Sequence, residues 1–160
     1  MKKIVIPVII FLLILGGLIG YGIARATEYM TYTRQCSVHI IDIAQGSGQV
    51  VAEDTDGTKT ILKFANADGF ITAVTRADTE FILFKSGLDE MPCVKVEFPD
   101  GAKFEVFDGG KKDKDDVAYV RHTYKNKSKL FRIIGYRTFE RVRLCISPGG
   151  MNGQNSIVKE

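Results

Sequence analysis

Three cysteines, two histidines and a run of cations are the residues of this chain that could do chemistry. Cys36-Ser-Val-His39 has the two-residue spacing of a zinc ligand pair. That spacing serves on a turn or a helix. The residues around it read as a strand, where positions three apart point to opposite faces and cannot share an ion. No second pair of this kind follows, so no metal site is expected and His39 reads as an ordinary strand residue. Cys145, with His122 and Arg137 or Arg141, is the set from which a thiol nucleophile would be built, because a thiol needs a positioned base. There is no Gly-rich phosphate loop, no His-Glu-x-x-His, no Gly-x-Ser-x-Gly and no calcium loop. Neither a catalytic residue nor a cofactor is expected, and the reading favours binding over catalysis. The alternative is a membrane-tethered cysteine enzyme using Cys145 or Cys93.

Between Arg121 and Arg143 eight Lys and Arg accompany a single acid. Read as a strand, 137–146 puts Tyr136, Val142, Leu144 and Ile146 on one face and Arg137, Arg141 and Arg143 on the other. Those arginines, with Lys127 and Lys129, are the expected basic binding face. Phospholipid headgroups, a polyanionic envelope polymer or an acidic protein would suit it. Nucleic acid is expected only if the domain faces the cytosol. The bland reading is a solvated face balanced by an acidic first half. From Arg25 to Asp116 acids outnumber bases 17 to 11, and from Val117 to Glu160 bases outnumber acids 9 to 2.

What positions these residues begins with Met1-Lys2-Lys3 and an uncharged run of 21 residues, Ile4 to Ala24, closed by Arg25. As a helix it is about 31 Å long, enough to cross a hydrocarbon core. Pro7 and four glycines are tolerated there, because lipid offers the backbone no other hydrogen-bond partner. Ala24-Arg25-Ala26 fits a signal cleavage site, but Leu18, Ile19 and Ile23 carry the apolar stretch too far for one. Residues 1–25 therefore read as an uncleaved anchor. Two lysines precede the run and Arg25 and Arg34 follow it; the free amino terminus tips the balance towards a C-terminal domain outside the cytoplasm. Gly16, Gly20 and Ala24 share one helix face and would let a second membrane helix, or a second copy, approach closely.

Residues 26–36 read as a juxtamembrane linker, with Tyr29 and Tyr32 at the headgroup level. Residues 37–147 read as one all-β domain, a small barrel or sandwich of about ten short antiparallel strands, and 148–160 as a flexible tail. The clearest unit is Cys93–Phe107 around Pro99-Asp100-Gly101. A three-residue loop there makes paired positions sum to 200, with Val94, Val96, Phe98 and their partners on one face and Lys95–Glu105 and Glu97–Lys103 on the other. A second hairpin around Thr55-Asp56-Gly57 pairs Val50 with Leu62 and Glu53 with Lys59. Further strands are expected at Val38–Ala44, Phe70–Thr75, Glu80–Phe84, Val117–Tyr124, Leu130–Tyr136 and Arg137–Ile146, with Asp108–Asp116 as a charged loop. Cys93 and Cys145 would both sit on polar strand faces, so a bridge between them is feasible and would leave Cys36 free.

The function expected from all this is a membrane-anchored, extracytoplasmic binding or assembly subunit of an envelope complex, contacting another membrane or envelope protein. A cytosol-facing lipid or nucleic-acid binder is the further alternative.

Overall fold

The structure is a computed structural model and describes residues 2–46, 48–76, 78–112 and 114–158. Its first element, α1, is one helix of 43 residues, Lys2–Ala44, about 65 Å long. The apolar half is uncovered: Phe11, Leu13 and Ile23 are more than 60% exposed. It is long and apolar enough to span a membrane. The second half is part of the domain core. Tyr32, Cys36 and His39 are fully buried, and Tyr29, Ile40 and Ile43 pack beside them. Their spacing of three and four is one face of a helix. The expected linker at 26–36 and the expected strand at 38–44 are therefore both helix. Val38-His39-Ile40-Ile41 is β-branched enough to suggest a strand, but burial at every third or fourth position decides for the helix. Past the helix end at Ala44 the Gly46 N–H donates to the Ile43 carbonyl, and its left-handed backbone (φ 79°) turns the chain away from the helix axis.

The remainder is a mostly β domain built on an eight-stranded antiparallel sheet. The strands are β1 Val50–Glu53, β2 Lys59–Leu62, β3 Thr79–Ile82, β4 Cys93–Glu97, β5 Lys103–Lys112, β6 Asp115–Tyr124, β7 Lys127–Gly135 and β8 Ser156–Ile157. They lie in the order β3-β7-β6-β5-β4-β1-β2-β8, so the sheet is open, with β3 and β8 at its edges. The β4–β5 hairpin has the expected register, Cys93 opposite Phe107 and Glu97 opposite Lys103. The β1–β2 hairpin pairs Val50 with Leu62 and Glu53 with Lys59, also as expected. β6 and β7 turn on Lys125-Asn126, both left-handed (φ 49° and 60°), the geometry whose twist suits a two-residue hairpin. The expected charged loop at 108–116 is largely strand: β5 and β6 run on through it, past a register shift between Asp108 and Lys111. Gly109 makes this possible, since a Cβ there would lie 2.8 Å from the Val117 carbonyl oxygen.

Two further expected strands are helices. α2, Phe64–Val74, replaces the strand at 70–75, and α3, Thr138–Ile146, replaces the strand at 137–146. Each buries residues at helical spacing: Ala67, Phe70, Ile71 and Val74 on α2, Phe139, Val142, Cys145 and Ile146 on α3. With α1 they cover one face of the sheet, against Val94, Val96, Phe104, Val106, Val120, Phe131 and Ile133. That cover removes the need for a second sheet or for barrel closure. Phe70 and Phe104, edge to face at 5.4 Å, are fully buried, and each contributes roughly 2–3 kcal/mol over an exposed ring.

The expected flexible tail is tied down over its described part. Asn155 is buried; its Nδ2 donates to the carbonyls of Cys145 (2.8 Å) and Ser147 (2.7 Å). Its Oδ1 accepts from the Lys63 N–H and from Asn66 Nδ2. This places Ser156 and Ile157 against β2 as β8.

Candidate functional site

A cleft of about 1010 Å³ lies between the exposed face of α3, the β5–β6 arm and the β1–β2 turn. Pro92, Phe139 and Leu144 give it apolar wall, and its charged lining is balanced, with Asp54, Asp108, Asp116 and Glu140 beside Lys111, Lys114, Arg137 and Arg143. Arg137 precedes α3 in a left-handed conformation (φ 53°), held by its N–H donating to Asp116 Oδ2 at 2.7 Å. From there its guanidinium pairs with Glu140 one turn on. Arg143 grips Asp54 in a fork, Nε to Oδ1 at 2.9 Å and Nη2 to Oδ2 at 3.0 Å. Partial burial pushes the Asp54 carboxyl up, but Arg143 and the Thr55 N–H outweigh it and hold it below its ordinary value. Lys111 and Lys114 have no ion-pair partner among the described residues.

The expected basic face does not exist as one stripe, because its strand is a helix. Arg137 and Arg143 reach the cleft, each compensated by a carboxylate, whereas Arg141 is exposed and does not line it. Lys127 and Lys129 stand at the far end of β7, and Lys129 is paired with Glu28 of α1. Gly16, Gly20 and Ala24 lie on the uncovered half of α1, and a Cβ at Gly16 or Gly20 would meet nothing within 4 Å.

The expected Cys93–Cys145 bridge is absent; all three cysteines are free. Cys93 shares the sheet face of Lys95 and Glu97, while Cys145 is buried under α3 on the opposite face, so the sheet separates them. Burial pushes both thiols up to about 11, with Glu105 adding to the effect at Cys93. Both are therefore protonated at neutral pH, the wrong state for a nucleophile.

A second polar assembly lies inside the core, and sequence reasoning missed it. His39, on α1, turns its Nδ1 to Asp100 Oδ2 in the β4–β5 turn. Its Nε2 stands 3.3 Å from His122 Nε2 on β6. Both rings are buried among aromatics: Tyr124 lies 4.9 Å from His39, and Phe104 lies 4.6 Å from His122. Burial, then His39, push the His122 imidazole down to about 4. Cys36, one helical turn before His39, shares its face, but no group of three metal-ligating side chains forms among the described residues. One signal was available. His122 continues the apolar register Ala118, Val120, so a titratable group was bound to point into the core.

No protein-family model, curated protein or solved structure matches the chain.

Proposed function

We propose that this chain is a single-pass membrane protein whose β-rich domain stands outside the cytoplasm and serves as a binding or assembly subunit of an envelope complex. The observation that carries the reading is the continuity of α1. One helix supplies both an uncovered apolar segment of spanning length and the buried face that the sheet folds against. A domain built this way has no flexible joint between membrane and core. Its surfaces are held at a set height and angle, which is useful when the task is to meet another membrane or envelope protein. The cleft beside α3 is the contact surface in this reading, with Lys111 and Lys114 open to a carboxylate or phosphate of the partner. The Gly16, Gly20 and Ala24 face brings a second helix, from the partner or from another copy, against the span. Protonated thiols speak against the cysteine-enzyme alternative.

Two measurements test it. The chain is recovered from membranes in mild detergent, wild type beside the variant Lys111→Glu, Lys114→Glu, with Arg141→Glu as a control outside the cleft. A discrete partner should come with the wild type and the control and be lost from the lysine variant; equal recovery by all three returns the cleft to ordinary solvated surface. For orientation, Ser128→Cys places a thiol on an exposed hairpin. A reagent that cannot cross membranes should label it in intact cells, and labelling only after lysis would place the domain in the cytosol.

A further inference from the structure

The His39–His122 contact joins the long helix to the sheet through two nitrogens that are both able to carry a proton. At 3.3 Å one Nε2 must donate and the other accept. Asp100 accepts from His39 Nδ1–H, which leaves two arrangements. In one, His39 is neutral and its Nε2 accepts from His122. In the other, His39 is the imidazolium beside the Asp100 carboxylate and donates to a neutral His122. Both place one proton between the rings. A second proton there sets two N–H groups and two positive charges against each other in a buried site, where Asp100 can offset one of them.

We propose that Asp100, His39 and His122 form a one-proton latch, which fastens the C-terminal half of α1 to the sheet and releases it when a second proton enters. The groups around the pair fit this role. From α1 come Tyr32, edge-on to His122 at 5.3 Å, and Cys36 on the same buried face. From β6 comes Tyr124, from β5 Phe104, and from the end of β4 Phe98, 5.6 Å from His39, with Phe70 of α2 packed behind Phe98 and Phe104. From β7 comes Lys129, whose positive charge further opposes a proton on His122; its own partner, Glu28, lies on α1. Asp100 is the sole carboxylate bonded to the pair among the described residues, and it can offset one positive charge, not two. The low proton affinity of His122 agrees with this arrangement. The inference does not depend on which side of the membrane the domain faces.

Cys36 and Cys145 provide an internal comparison. Both are buried, Cys36 under α1 and Cys145 under α3. The intact chain in detergent micelles is exposed to 4,4′-dithiodipyridine, which reacts with thiols in acid, and modification is resolved by mass spectrometry from pH 7 to pH 4. Release of α1 should raise the Cys36 rate by about tenfold for each pH unit of proton-linked opening, and leave Cys145 protected. His122→Phe, which keeps a ring in the aromatic cluster, should remove that step. Asp100→Asn, which keeps the turn and withdraws the offsetting charge, should move it towards neutral pH, and serves should His122→Phe fail to fold. The latch is overturned if Cys36 stays protected to pH 4, if both cysteines open together, if the step survives His122→Phe, or if Asp100→Asn leaves it in place.

Discussion

Tyr32 stacks on Phe131 with ring centroids 4.0 Å apart and planes 22° from parallel, and this contact seats the long helix on the sheet. The same tyrosine reaches past the ring to donate its hydroxyl to the Val74 carbonyl at 3.0 Å, at the end of α2. One side chain thus ties α1 to β7 and to α2. It sits two turns beyond Arg25, which pairs with Glu80 at the β3 edge where the apolar run ends. The joint between span and domain is built from these few residues.

Removing that joint should be costly. Tyr32→Ala is expected to destabilise the domain by about 3–5 kcal/mol, the range for deleting a buried ring. Tyr32→Phe, which keeps the stack and gives up the hydroxyl bond, should cost about 1 kcal/mol. Urea unfolding in micelles would measure both, and near-equal losses would show that the ring contributes little.

Acid should weaken the fold through His122. Its imidazole titrates near 6.5 when free and is pushed down to about 4 in the core. Between these values the unfolded chain binds more protons, so the stability present above pH 6.5 is lost as pH falls towards 4. The expected loss at the acid end is on the order of 3 kcal/mol. His122→Phe should flatten that part of the stability profile, and an unchanged slope would assign the acid loss to the carboxylates instead.

The Arg143–Asp54 fork offers a smaller effect with the same sign in pH. Asp54 is held low, so its contribution is present above the unfolded carboxyl value and disappears as pH falls through the folded one. Arg143 is nearly half exposed, so Arg143→Ala should cost no more than about 1 kcal/mol at neutral pH. The more direct check is the Asp54 carboxyl titration by NMR, which should move upward in the variant.

Asn155 should matter more than its place near the carboxyl end suggests. Asn155→Ala leaves the carbonyls of Cys145 and Ser147 without their side-chain donor, and takes the acceptor from the Lys63 N–H and Asn66 Nδ2. The expected cost is about 2–3 kcal/mol, with β8 released. Limited proteolysis should then cut after Pro148 in the variant and not in the wild type.

Local chemistry made part of this protein legible from residues alone. The span from Ile4 to Ala24 follows from length and the absence of charge. The β4–β5 and β1–β2 registers follow from a turn whose residues suit their dihedrals, flanked by matched apolar and charged pairs. These features depend on neighbours close in the chain, so a sequence suffices. The tertiary structure decided the rest. Segments 70–75 and 137–146 hold apolar residues that fit either period, and they became α2 and α3 because an open sheet must cover its apolar face. Segment 38–44 became helix because α1 continues out of its apolar run and packs as it goes. His39, Asp100 and His122, separated by 61 and 83 residues, meet only after that packing is complete. No local rule brings two imidazoles to 3.3 Å; the crossing of α1 over β6 does.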